Sequence, residues 1–363
     1  MGTILVWPPF GFIVRRRVVK TIILLLIACL SVGSRALAQE SVKDTASFAD
    51  AIEIFLGRNQ PKIGLLAQFG ADATNDGGKT KSHFSVRNLR LYLSGSFEEK
   101  FFYVFQGDMN GGYQLLDLKF SYVLNDNIRI AGGQFKAPFG YENLKNDANL
   151  LFVNRSTAAR TIGAFRQVGI QIQGTVLEKR LSGALGIFNG QGIGGAAFDS
   201  KISLLVGNLR GIPINVGQGS SQFQVDVGGS ITYSRDGEDL PGVIFIRKDK
   251  YLLGANARVA YGDYWSEAEY VMAGSNSTKT ADGLSADLGH RFDPHWEIAG
   301  RLDLTNSYHP PGYIGQFANR KYLVGINWYP GKLVKIQLDY ERDQTNRINS
   351  GLLNIQYAVN HEN

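Results

Sequence analysis

Residues 115–123 read LLDLKFSYV. In an extended chain Leu116, Leu118, Phe120 and Tyr122 fall on one side, and Asp117, Lys119 and Ser121 on the other. Strict alternation over such a length suits a wall with oil on one face and water on the other. Residues 124–127, LNDN, then read as a tight turn, and 128–135 bring the chain back. That return runs into GGQFKAPFGYE at 132–142 and a long unpatterned stretch reaching about Arg166. We read this as a strand feeding a loop that folds back into a hollow.

The same alternation recurs on both sides. Upstream, 61–70, 84–97 and 101–108 are strand candidates, with Ala71 to Ser82 a polar loop. Downstream come 168–175, 180–189, 201–207, 222–234, 251–261, 264–273, 283–291, 296–305, 321–329, 333–341 and 351–360. The count is about sixteen, an even number of the size that encloses a water-filled channel. Connections at 98–100, 124–127, 262–263, 293–295 and 330–332 are short; those at 137–166, 234–249 and 306–320 are long. Asn208 to Ser221 breaks this rule, being long and Gly-rich where a short turn is expected. The expected fold is all-β: a transmembrane antiparallel β-barrel with an inward-folded constriction loop. The 43 glycines, 16 Tyr and 21 Phe fit closely spaced strands and aromatic girdles. A soluble sandwich or propeller is the competing reading; no blade-length repeat supports it.

The first 38 residues read as a secretory signal peptide. Arg15, Arg16, Arg17 and Lys20 precede an apolar run, and Ala36-Leu37-Ala38 is a small-residue cleavage pattern. A lipoprotein signal acylated at Cys29 is the alternative. The stretch before the charged region is unusual, and Val18 or Val19 is a candidate true start. Residues 39–60 read as a short periplasmic arm, and 61–363 as the barrel. Removing the five basic residues of the leader from the total of 38 leaves 33 against 32 acidic ones. Net charge therefore gives no reason to expect a nucleic-acid partner. The mature chain has no cysteine, which excludes thiolate chemistry and cysteine metal sites.

Selectivity in a pore depends on where charges stand. Arg90 and Lys119 sit opposite outward leucines and are expected to face the lumen. Arg87 shares parity with Leu89, so a kink is needed to bring it inward. Arg129 shares parity with Ala131 and Phe135. Lys136, Arg155, Arg160 and Arg166 flank or occupy the loop. Asp108, Asp117 and Glu142 supply the opposite sign. Opposed patches of this kind orient dipolar solutes; the alternative is that most are simply solvated. Leu150-Leu151-Phe152-Val153 is an apolar cluster that packing on the inner wall would explain, as would a subunit interface. No metal-ligand spacing, nucleophile elbow or cofactor motif is present, and no enzyme is expected. An outer-membrane hydrolase using His290 is an alternative, and the glycines at 190, 192, 194 and 195 lack the context of a phosphate loop.

At FSVRNLRLYLSGSF (84–97), FQGDMN (105–110), GGQFKAPFGYE (132–142), Arg166 to Gly169, GIFNG (186–190) and GHRFDPHWEIAGRLD (289–303), the chain resembles the phosphate-selective porin O and P family. In that family's arginine-rich second strand, Arg87 and Arg90 have counterparts here, separated by Asn88 and Leu89. The resemblance implies a sixteen-stranded trimeric porin in the bacterial outer membrane. Such a porin passes small inorganic anions such as phosphate, contacts outer-membrane lipid and carries no cofactor. A barrel with a plugged lumen and a structural role is the alternative.

Overall fold

A computed structural model of the protein describes residues 61–190, 193, 204–217, 222–234, 251–275, 278–307 and 318–360. The leader, the arm, most of the glycine loop and the long connections after 234 and 307 lie outside these residues. The described chain forms sixteen strands. They are β1 (Lys62–Asn75), β2 (Thr80–Phe97), β3 (Phe101–Asp108), β4 (Gln114–Asn125), β5 (Ile128–Lys136), β6 (Arg166–Val176), β7 (Leu181–Phe188) and β8 (Leu204–Val216). The ring continues with β9 (Phe223–Ser234), β10 (Tyr251–Tyr261), β11 (Tyr264–Ser275), β12 (Thr278–Asp293), β13 (Trp296–Ser307), β14 (Ala318–Gly331), β15 (Val334–Asp343) and β16 (Ile348–Val359). Each pairs antiparallel with its sequence neighbours, and β1 pairs with β16, so the sheet is a closed barrel. Closure leaves no strand edge unpaired, which an apolar surrounding requires of a spanning sheet.

Alternation produces two faces. On β14, Tyr322, Val324 and Trp328 are exposed while Leu323 and Asn327 are buried. On β13, Ile298 is exposed, and Glu297, Arg301, Asp303 and Thr305 are buried. Large apolar side chains thus cover the outside of the ring, and polar ones fill its inside. Aromatic rings gather near the short turns: Phe97 on Phe101, Phe101 on Tyr122, Tyr264 on His290 and Trp296 on Trp328, all with centroids within 5.9 Å. All those turns follow even-numbered strands, so the rings mark one rim. His290 is part of this rim, its ring 4.2 Å from that of Tyr264.

Four sequence expectations are changed or completed. Ala71 to Ser82 is not a loop: β1 runs to Asn75 and β2 begins at Thr80, so only Asp76 to Lys79 turn. The Asx contacts of Asn75 and Asp76 with the backbone of Gly77, Gly78 and Lys79 close it, and polar strand ends hid the pairing. Within Asn208 to Ser221, residues 208–216 are strand, the second part of β8. β8 slips register between Gly211 and Ile214, where Pro213 has no N–H to donate, and this bulge breaks the alternation. Leu116 does not join Leu118 and Phe120 on the outer face. The register steps from Gln106–Asp117 to Gly107–Leu115, leaving Leu116 unpaired and buried. The kink needed at Arg87 exists: Gln68 pairs with Asn88 and Phe69 with Val86, so Arg87 is the extra residue of a bulge.

The segment between β5 and β6 holds α1 (Tyr141–Leu144), a 3-10 turn (Asp147–Asn149) and α2 (Thr157–Thr161). It leaves from one side of the ring and hydrogen-bonds to strands on the far side. Glu269 of β11 accepts from the Tyr141 and Glu142 amides, Asp303 of β13 from Thr157, and Asp339 of β15 from Val153. Lys335 Nζ donates to the carbonyls of Ala148 and Leu150, both at 2.8 Å.

Candidate functional site, the charged interior between segment and wall

The segment's shape begins with local capping. Asn146 accepts from the Ala148 amide at 3.2 Å, and Ser156 accepts from the Ala159 amide at 3.1 Å. These short turns fix the carboxylates of Glu142 and Asp147. Ser156 also donates to Glu142 through both its amide and its hydroxyl, at 3.0 and 2.6 Å. Arg301 of β13 completes that cluster, 2.8 Å from Glu142 and 2.7 Å from Asp287 of β12. Burial pushes the Glu142 carboxyl up, but Arg301 and the Ser156 donors outweigh it and hold the pKa below its ordinary value. The guanidinium of Arg301 also lies 4.6 Å from the ring of Phe152, which is buried with Ala299 and Leu323.

The segment sits close to bare backbone. A Cβ on Gly283 would lie 2.4 Å from the Cβ of Ala158 in α2. One on Gly325 would lie 3.1 Å from the Phe152 ring and 2.5 Å from Asp339 Oδ1. Glycine at these wall positions lets helix and ring approach to contact distance.

Asp147 is the second hub. It pairs with Arg155 at 2.6 Å and with Arg90, and Arg90 in turn reaches Asp108 at 3.2 Å. Burial would raise the Asp147 pKa; Arg155 and Arg90 outweigh it and hold the carboxyl down at about 2. Arg87 pairs with Asp72 and donates to Asn154 at 3.2 Å. Arg166 makes a two-pronged contact with Asp117, at 2.9 and 3.0 Å, and a third with Gln106 at 3.2 Å.

The basic residues expected from the sequence therefore separate into two groups. Arg87, Arg90, Arg155 and Arg166 are each held by a carboxylate. Lys119, Arg129, Lys136 and Arg160 have none within ion-pair distance among the described residues. Arg160 is exposed on α2. Lys136 donates to the Lys145 carbonyl at 2.7 Å. Lys119 lies 5.1 Å from the Phe135 ring centroid, and Arg129 4.7 Å from that of Phe102. Lys119, Arg129 and Lys136 line one cavity of about 540 Å³ with Phe135, Gln171 and Gln173. Of the acidic candidates, Asp108 and Asp117 neutralise arginines, and Glu142 anchors the segment.

Sequence reasoning passed over the far wall. Arg301, Asp287, Asp303, Glu267, Glu269, Lys335 and Asp339 hold the segment or its neighbours, and none was singled out. Lys145, for instance, pairs with Glu267. Their signal was available: each of Asp287, Arg301, Asp303, Lys335 and Asp339 sits at a parity opposite exposed apolar residues.

Residues 62–200 match the profile of the family described as phosphate-selective porin O and P. No curated protein sequence matches the chain. Among solved structures, an anion-selective porin from Comamonas acidovorans is similar at 12% identity, with a TM-score of 0.60 over 83% of this chain and all of the other. A double mutant of the Rh. blastica porin gives 11% identity and a TM-score of 0.58 over 82% of this chain and 100% of its own. An outer-membrane protein of Vibrio cholerae, OmpT, gives 9% identity and 0.54 over 82% and 98%. At such identities the likeness is one of fold.

Proposed function

From a chain whose residues 62–200 belong to the phosphate-selective porin O and P family, closed into a sixteen-stranded barrel, we propose an outer-membrane porin. It forms a water-filled channel for passive diffusion of small solutes, narrowed by the segment between β5 and β6, and it prefers anions. The observation that carries the preference is the cluster of Lys119, Arg129 and Lys136 around one cavity: of the two carboxylates that share its lining, Asp117 is taken by Arg166, and no carboxylate among the described residues is in ion-pair distance of the three cations. In a confined aqueous space with low-dielectric walls such a field is screened less than at an open surface. Export through the signal peptide and assembly as a trimer belong to the same reading, the latter from the family alone. Single-channel recording in planar bilayers under a potassium chloride gradient tests it. A reversal potential on the anion side is expected; one on the cation side removes the anion preference.

A second reading has its own support. The segment is tied to β11, β13 and β15 by many hydrogen bonds, which suits a plugged barrel with a structural role. Absence of any conductance from correctly folded protein would favour it.

A further inference from the structure

We infer that the cavity around Lys119 and Arg129 is a subsite for a small organic carboxylate with an apolar body, in preference to inorganic phosphate. The inference rests on the channel reading above and names the solute class for it.

Phosphate recognition favours arginine forks delivering several N–H groups to one tetrahedral ion. Here the forks are occupied. Arg166 commits two of its contacts to Asp117, Arg155 pairs with Asp147, Arg90 bridges Asp147 and Asp108, and Arg87 holds Asp72. What lines the cavity instead is three cations, Lys119, Arg129 and Lys136, with two carboxylates, Asp117, which Arg166 already holds, and Asp126 of the turn. Lys119 stands by Phe135 and Arg129 by Phe102. Val104, Val123, Pro138 and Leu144 add apolar surface to the same lining. A charge next to an apolar wall suits a ligand with a carboxylate at one end and a ring or short chain at the other. A volume of about 540 Å³ holds such a molecule with water to spare. Gln171 borders the cavity with a buried side-chain oxygen that has no hydrogen-bond partner among the described residues, so the wall also has an acceptor to offer a hydroxyl.

The test is calorimetric titration of the full mature chain in detergent, with 4-hydroxybenzoate and inorganic phosphate as separate probes. Saturable binding of 4-hydroxybenzoate, at least about ten-fold tighter than phosphate, is expected. Lys119→Gln and Arg129→Gln, on different strands, should each weaken it by about ten-fold, the scale of one lost charge-assisted contact. Phosphate binding as tight or tighter overturns the inference, and so does binding of 4-hydroxybenzoate that both variants retain. Chloride conductance of the same preparation is read separately. A barrel that binds the carboxylate but never conducts sinks the channel reading and leaves the subsite. One that conducts but does not bind sinks the subsite alone.

Discussion

Asp147 shows how one carboxylate organises a charged interior. It bridges Arg90 and Arg155, and with Asp108 on the other side of Arg90 it balances the charge of both, so two of the expected anion-attracting arginines are neutralised at source. Asp147→Asn should leave Arg155 without a carboxylate and Arg90 with Asp108 alone. We expect a roughly two-fold or larger rise in the anion-to-cation permeability ratio, read from reversal potentials. The same residue fixes an acid limit. Its carboxyl is held at about 2 against an ordinary 3.8. A depressed folded pKa stabilises fully above the unfolded value, and that contribution is lost as pH falls through the folded one. Glu142 is displaced in the same direction, so its contribution adds to the loss on the acid side. Single-channel traces should therefore become noisy between about pH 4 and pH 2, and the Asp147→Asn channel should be less sensitive over that window. The charged type of each residue was plain from the sequence. Whether a charge was free was not, because Arg90 and Asp147 are 57 positions apart and meet only in the folded barrel.

At the scale of elements, the segment between β5 and β6 depends on the wall it touches. Arg301 carries two carboxylate partners while buried itself. Arg301→Met leaves Glu142 and Asp287 without their cation, a loss of about 3–5 kcal/mol. A lower denaturant midpoint in detergent would register it. Gly283→Val should act differently, since its side chain would strike Ala158 and push α2 from the wall. The expected result is higher single-channel conductance and new protease cleavage within residues 137–165, with the barrel itself intact. Unchanged conductance would mean that the segment does not narrow the pore. Strands were legible wherever alternation was unbroken, as in β4 from Asp117 onward. The face was misassigned at Leu116, and strands were cut short from Asn208 onward and at the polar ends of β1 and β2. Bulges and turn-stabilising side chains interrupt a two-residue period without ending the strand.

For the molecule as a whole, the apolar outer face predicts insolubility without an amphiphile. Purified mature protein should aggregate in plain buffer and disperse in detergent, as sedimentation or light scattering would show; a monodisperse species without detergent would rule out a membrane barrel. The two-residue period carries this much unaided, because each strand's own residues say which face meets oil and which meets water. It also carries the approximate strand number, about sixteen, because short turns such as 98–100 and 124–127 mark the changes of direction locally. The pairing of charges is a different matter. Arg301 with Glu142, Lys335 with the Ala148 carbonyl and Arg166 with Asp117 join positions far apart along the chain. Only ring closure and the path of one segment across it bring them within hydrogen-bond reach, and those contacts decide which cations remain to meet a solute.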